Sequence, residues 1–485
     1  MSDNLREKGI KGFLWALLEK FSVQGVSFIV TLVLARVLSP ADYGTVALLT
    51  IFLAVANVLV DSGFGSALVQ KKNVSELEFN SVFYVSLMIG SFLYIILFVA
   101  APYIASFYRS GILVPILRVS AITLIFASIN SVQNAELSRK LLFKLSFKVS
   151  LISTITAAIV GIYLALQGMG PWALVWSSFS ANLMGTIMRW FVIGWRPKLM
   201  FSFSSLHGLF SFGWKLSLTT LIDTLYNNLY GLFIGRMYAR EDLAFVNKGR
   251  HLPELLMTTV SSTLSRVAFP VMAQVQDDDS RIHSMMSKIL KTSCFVVFPV
   301  LAYVAVSADS ITIVLFGEKW LPIVPYIQLS CIMFAFSPFN VLNLQVLLSK
   351  GRSDIHLKLE IVKKIIGVII VIVAIQYSPL CLVAAMSLIL YPVCLILNTW
   401  PTKKIVGYGL VAQLWDIWPF AGMTLIFALV VACVNHFCCR DMLILTRIMA
   451  LLLSGVVGAA IYVGLAALSR QQPLMFVYET MRKFR

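Results

Sequence analysis

Fourteen long apolar stretches follow one another along the chain. They lie at about residues 12–35, 43–68, 79–105, 112–136, 147–167, 170–193, 207–236, 250–273, 287–307, 323–348, 359–377, 380–400, 414–436 and 443–468. A helix of about 20 apolar residues crosses the hydrocarbon core of a bilayer. Backbone amides in lipid must be bonded within their own segment, so a chain of such stretches is a helical bundle. The pattern predicts an all-α integral membrane protein with about 14 transmembrane helices.

Composition narrows the class. Of 485 residues, 59% are hydrophobic and 13% charged, and the mean hydropathy is +0.87. These values exclude the two to four soluble domains that this length would otherwise suggest. Lys and Arg number 39 against 22 Asp and Glu, a formal charge of +17. The excess sits in alternate gaps between apolar stretches, which points to membrane orientation and away from nucleic acid. Arg6, Lys8 and Lys11 precede the first stretch. The same side collects Lys71, Lys72, Arg139, Lys140, Lys144, Arg196, Lys198, Arg281, Lys350, Arg352, Lys363 and Lys404 among others. Roughly 26 basic residues fall on that side and roughly 9 on the other, so both termini are expected in the cytoplasm. The first apolar run is too long for a signal peptide and no small-residue cleavage site follows it, so it reads as a retained helix. The seven cysteines form no CxxC pair and read as packing residues. The five histidines show no metal-ligand spacing, and no cofactor is expected.

The chain repeats itself. Trp15, Lys20, Gln24, Ser27 and Thr31 precede Leu34-Ala35-Arg36-Val37-Leu38 and Asp42. At an offset of about 200 residues, Trp214, Thr219, Asp223, Tyr226 and Tyr230 precede Ile234-Gly235-Arg236-Met237-Tyr238 and Asp242. Gln70 with its charged turn has an echo in Gln276 and Asp277–Asp279, and Leu137-Ser138-Arg139 has one in Leu348-Ser349-Lys350. Six helices per copy is an even number, so both copies enter the membrane from one side, as in parallel-repeat transporters. The expected division is an N-lobe at 1–200, a C-lobe at 201–405, and two further helices with a tail at 406–485.

Ionisable residues within the apolar stretches are the candidate site, because each costs roughly 2.5–3.5 kcal/mol near the bilayer centre and persists where it faces water, a partner or a substrate. They are Lys20, Asp61, Arg118, Lys215, Asp223 and Arg266, with Glu136 near a helix end. Lys20, Gln24, Ser27 and Thr31 share one helix face by their spacing, as do Lys215, Thr219, Asp223, Tyr226 and Tyr230. Such stripes are too polar for lipid and are expected to line one central cavity. Its cations outnumber Asp61 and Asp223, which favours an anionic ligand. Tyr226, Asn227, Asn228 and Tyr230 offer groups either for sugar hydroxyls or for joining helices. The plainer alternative is that the charges pair with one another, Lys215 with Asp223 and Arg266 with Asp61. No Walker A loop, G-x-S-x-G elbow or HExxH appears, so the chain reads as a transporter without enzyme chemistry.

Trp15 with the run Leu34 to Gly44, the run Asp61-Ser62-Gly63-Phe64-Gly65-Ser66-Ala67-Leu68-Val69-Gln70, the run Arg266-Val267-Ala268-Phe269-Pro270, and the turn Phe316-Gly317-Glu318-Lys319-Trp320 together resemble Wzx-type polysaccharide flippases. The nearest branch is the colanic acid exporter-like one within the multidrug/oligosaccharidyl-lipid/polysaccharide (MOP) superfamily. The resemblance spans about residues 10–470. It implies two six-helix lobes around a cleft and a bacterial inner-membrane location. The implied substrate is an oligosaccharide on undecaprenyl diphosphate, flipped for exopolysaccharide, capsule or O-antigen synthesis. It also implies a polysaccharide polymerase and its assembly machinery as further partners. Arg36, Asp42 and Arg236 then read as structural or gating groups at helix ends. Lys20, Gln24, Arg118, Lys215, Tyr226, Asn227 and Arg266 read as substrate-binding groups, and Asp61, Asp223 and Glu136 as ion-coupling or charge-pairing ones. Two rivals stand beside this reading. An ion-coupled drug or metabolite antiporter of the same superfamily would give a resistance phenotype with normal polysaccharide. A membrane polymerase would need a large external loop, and the gaps are short.

Overall fold

The computed structural model describes residues 2–61, 63–438, 444–469, 471 and 473. Ser62, Cys439 and the C-terminal tail lie outside them. Every regular element among the described residues is helical. The chain forms two compact units, Met1–Ala244 and Phe245–Arg485.

The first unit opens with α1 (Ser2–Val37), which starts well before the apolar run at 12. Ser39 and Pro40 end it. Ser39 is extended, its hydroxyl accepts from the Asp42 amide, and the Asp42 carboxylate accepts from the Ser39 amide at 2.9 Å. This reciprocal cap, with Pro40 at the first helical position, starts α2 (Pro40–Ala47). Next come α3 (Thr50–Asp61) and α4 (Phe64–Gln70), parted by Gly63 at φ +67°. The apolar stretch 43–68 is therefore three helical pieces. A second capping box, Ser75 with Glu78, starts α5 (Glu76–Phe107). The stretch 112–136 divides at Ile122 into α6 (Leu113–Ala121) and α7 (Thr123–Arg139). Then follow α8 (Phe143–Leu166), α9 (Pro171–Val192) and α10 (Phe203–Met237). α8 packs along both α1 and α9, α5 packs along α6 and α7, and α10 lies against α3, α4 and α5.

α11 (Arg240–Ala273) begins at the end of the first unit and runs into the second. There follow α12 (Asp279–Val306), α13 (Ala308–Leu315), a 3-10 segment (Glu318–Ile323), α14 (Val324–Ala335), α15 (Ser337–Ser349) and α16 (Ser353–Ala374). α17 (Pro379–Ala385), a π turn (Met386–Leu390) and α18 (Tyr391–Val406) make one continuous run. α19 (Leu410–Cys438) and α20 (Ile444–Leu468) pack on each other and α19 on α12. They share a core with α12 that includes Cys294, Phe420, Phe427 and Tyr462. Tyr303 donates to the Leu451 carbonyl at 2.7 Å and Tyr462 to that of Phe295 at 3.0 Å, so buried hydroxyls also tie them down. The compact units divide at 244/245, whereas the repeat suggests 200/201 and 405/406. The packing of α10 on α3–α5, and of α19 and α20 with α12, accounts for that difference.

Eleven helices or helical runs among the described residues are long and apolar enough to cross a membrane. The three remaining long helices are α9, α10 and α16. At 22 residues or more each, they exceed the about 20 that a crossing takes, but α9 and α10 are interrupted by serines and asparagines and α16 carries Asp354, Lys358, Glu360, Lys363 and Lys364. The fourteen-helix reading rests on counting them.

Candidate transport site

α10 carries the longest polar stripe of the first unit. Its packing face is set by small residues. A Cβ on Gly63 would lie 2.3 Å from the Gly213 carbonyl oxygen, and one on Gly235 2.1 Å from Leu48. Glycine at these points lets α10 lie backbone-close to its neighbours. The stripe Lys215, Thr219, Asp223, Tyr226, Tyr230 runs along another side. Lys215, Thr219 and Asn227 are exposed, and Asp223, Tyr226 and Tyr230 half-buried. The Gly63–Gly213 contact sits two residues from both Asp61 and Lys215. Asp61 is exposed at the end of α3, and a Cβ at Gly65 would stand 3.3 Å from its Oδ1.

On α1, Lys20 and Ser27 are exposed while Gln24 and Thr31 are half-buried. Arg266 is exposed on α11, in the second unit. Arg118 is half-buried on α6; its guanidinium lies 4.1 Å from the Phe98 ring centroid and donates to the Phe98 carbonyl. Glu136 is buried and ion-paired with Lys140 at 2.5 Å. Asp42 caps α2, and Arg236 stacks 5.3 Å from the Phe107 ring, with Arg36 exposed at the matching end of α1.

Several charged groups escape a search for isolated ionisable residues. Glu19 accepts hydrogen bonds from Ser146 at 3.0 Å and Ser150 at 2.7 Å. Arg189, within electrostatic reach of Glu19, donates to Asn134 at 2.9 Å. In the second unit, Arg250 pairs with Glu254 on α11 at 3.4 Å, and Lys363 pairs with Glu360 on α16. Tyr391 lies within reach of the first pair and Cys394 of the second. The Lys363 side chain is only 12% exposed. α16 continues as helix through it, and Glu360 one turn back neutralises the ammonium. Asp416 on α19 accepts from Ser287 at 2.5 Å and Tyr408 at 2.6 Å and pairs with Lys291 at 2.9 Å. Opposite charges three or four residues apart inside an apolar run, as in Arg250/Glu254, were the available signal.

Three devices recur in the two halves of the repeat. Asp42 accepts from the amide of Ser39, and Asp242 from that of Ala239 at 3.1 Å. Arg139 at the end of α7 donates to the carbonyls of Leu68, Lys71 and Lys72 at the end of α4. Lys350 just past α15 donates to the Gln276 carbonyl after α11 and pairs with Asp279. Each supplies positive charge to carbonyls that a helix end leaves unbonded. Asn130 donates to Thr186 between α7 and α9, and Asn398 to Asn340 between α18 and α15, both at 2.9 Å.

Comparison with known proteins agrees with this architecture. Residues 33–325 match the family model described as polysaccharide biosynthesis protein. The chain is 24% identical over 366 residues to the lipopolysaccharide biosynthesis protein WzxC of Escherichia coli (strain K12), covering 74% of each. It is 29% identical over 305 residues to the teichuronic acid biosynthesis protein TuaB of Bacillus subtilis (strain 168), covering 62% of each. Among solved structures it resembles the lipid II flippase MurJ in an inward closed conformation, with a TM-score of 0.74 and 12% identity over 93% of this chain and 98% of that one. A multidrug resistance MATE family transporter of the MOP superfamily in its inward-facing conformation follows at 0.59 and 14%, over 81% and 94%. Identities this low speak to the fold alone, which is that of MOP transporters. The chain belongs to the polysaccharide biosynthesis protein family, and is a multi-pass membrane protein with the fold that MOP transporters share.

Proposed function

We propose that the protein flips an undecaprenyl-diphosphate-linked oligosaccharide across the bacterial inner membrane by alternating access through a cationic cavity. The observation that carries this reading is the exposure of Lys20, Lys215 and Arg266 on membrane helices, in a chain whose family makes polysaccharide. Sugar hydroxyls and a diphosphate lose their hydration in hydrocarbon at great cost. A polar, positively charged route replaces that hydration while the polyprenyl tail stays in lipid. Lys20, Lys215, Arg118 and Arg266 hold the diphosphate or acidic sugars, and Gln24, Tyr226 and Asn227 bond hydroxyls. Asp61 and Asp223 orient the cations or carry a coupling ion, with Glu136 in the same class. Arg36, Asp42 and Arg236 act at helix ends as structural or gating groups. A polymerase and its assembly machinery take up the delivered repeat unit.

The test is reconstitution. Purified protein in liposomes is given labelled lipid-linked oligosaccharide in one leaflet, and its appearance in the other is followed with a membrane-impermeant sugar-modifying reagent. Protein-dependent transfer is expected. No transfer, with efflux of cationic dyes instead, would establish the drug-antiporter reading.

A further inference from the structure

The segment between α9 and α10 combines two features that a soluble loop does not. Its backbone is fastened to the first unit by polar bonds. The Lys198 amide donates to Asn80 at 2.5 Å, the Ser202 amide to Ser81 at 2.9 Å, and the Lys198 ammonium pairs with Glu76 at 2.7 Å. Arg196 folds back on the carbonyls of Trp190, Ile193 and Trp195, with its guanidinium 5.1 Å from the Trp190 ring. Within it Trp195 turns inward against Phe79 and Phe83, while Leu199 and apolar residues at the two flanking helix ends point outward. Leu199 is 95% exposed, Phe203 78% and Phe191 78%. Phe201 and Phe203 stack edge-on at 4.7 Å, as a pair that the rest of the unit leaves uncovered.

A contiguous apolar patch on a fastened loop marks a contact surface. The structure assigns its occupant. Phe191 is the outward side chain at the end of α9, a helix whose exposed Leu183 and Ile187 continue the same apolar surface. The patch is thus continuous with surface that faces acyl chains in a membrane-spanning bundle. Its rim is positive. Arg196 and Lys198 flank it, and Lys71, Lys72 and Lys140 are exposed at this end of the unit; Lys198, Lys71 and Lys140 are paired with Glu76, Glu78 and Glu136, which leaves the rim net positive through Arg196 and Lys72. Apolar residues beside cations suit the boundary between anionic headgroups and acyl chains. We propose that the 193–203 segment is an interfacial anchor, with Leu199, Phe201 and Phe203 inserted in the leaflet and Arg196 and Lys198 among anionic phospholipid headgroups. The link between the two copies of the repeat is then held at the membrane surface and is not a free tether. The inference rests on the membrane-spanning fold and not on the substrate.

The experiment places an environment-sensitive nitrobenzoxadiazole label on Leu199→Cys in the full-length protein, reconstituted in phosphatidylglycerol-containing vesicles. Signal from the native cysteines is subtracted with the labelled parent protein. Ser280→Cys, at the start of α12, serves as the water-exposed control. The expected result is blue-shifted emission at 199, quenched by lipids brominated high on the acyl chain and not by aqueous iodide, with the opposite pattern at 280. Phe203→Cys is expected to match 199. Water-like emission with iodide quenching at both 199 and 203 would overturn the anchor. Equal insertion in purely zwitterionic vesicles would overturn the role given to Arg196 and Lys198. Neither readout uses transport, so failure here is separable from failure of the flippase reading.

Discussion

At the scale of single residues, close backbone approach decides more than charge. Gly63 combines φ +67° with a missing Cβ that would stand 2.3 Å from the Gly213 carbonyl oxygen. Gly25 on α1 has nothing within 4 Å. Gly63→Ala is therefore expected to destabilise the protein by about 1–3 kcal/mol through strain and steric clash. Gly25→Ala is expected to be neutral or to stabilise by up to about 1 kcal/mol. Thermal midpoints of the detergent-solubilised variants check both. Asp416 offers a second residue-scale prediction. It is half-buried and shared by Lys291, Ser287 and Tyr408. Asp416→Ala leaves those groups unpaired and is expected to cost about 1–3 kcal/mol. The paired change Asp416→Leu with Lys291→Met is expected to recover part of that loss, because the uncompensated ammonium is gone. Equal midpoints for the single and paired variants would show the ion pair to be silent.

Among the elements, the ends matter most. Asp278 caps α12, and its carboxylate sits below its ordinary range because the Arg281 amide and the Ser280 hydroxyl favour the charged form. A carboxyl held down in the folded state contributes stability above its unfolded value of about 3.9, and that contribution is lost as pH falls through the folded value. Asp278→Ala is thus expected to lower the midpoint at neutral pH. The gap should close in acid well below pH 4, measured as melting curves across that range. A gap that persists unchanged in acid would assign the effect to something other than the charged cap.

The apolar runs made the existence of most of these elements legible, since a run long enough to cross lipid admits few alternatives. Their interruptions were not legible. Ile122 and the π turn at Met386–Leu390 lie inside runs that stay largely apolar, and Gly63 inside one that Asp61 and its small neighbours interrupt, so hydropathy passes over them. Ser39 and Asp42 have the spacing of a capping box, a start signal that hydropathy also passes over. Glu360, one turn back on α16, pairs with Lys363 and lets its side chain be largely buried.

For the whole molecule, the internal repeat carries the architecture. Asp42 and Asp242, and then Arg139 and Lys350, perform matching tasks at matching positions although only scattered residues are shared. What repeats is the placement of a charge at a helix end. The sequence singles out the candidate charges as exceptions in an apolar chain, and their joint action is the proposal made above. Lys20, Lys215 and Arg266 stand exposed as an apolar chain makes unusual, whereas Arg118 stacks on Phe98 and Glu136 is neutralised by Lys140. Arg118 finds its partner on another helix, which spacing along its own does not report, whereas Glu136 finds its partner four residues further along the chain.

The central claim is that cations on membrane helices hold an anionic head group during its crossing. The most direct measurement is the initial rate of lipid-linked oligosaccharide transfer in liposomes for Lys215→Ala and Arg266→Ala, at matched protein incorporation. Each lost charge-assisted contact is worth about 1.5–3 kcal/mol, so each variant is predicted to fall roughly 10- to 100-fold. Lys215→Arg should retain most of the rate. Transfer by both alanine variants at the parental rate would contradict the account.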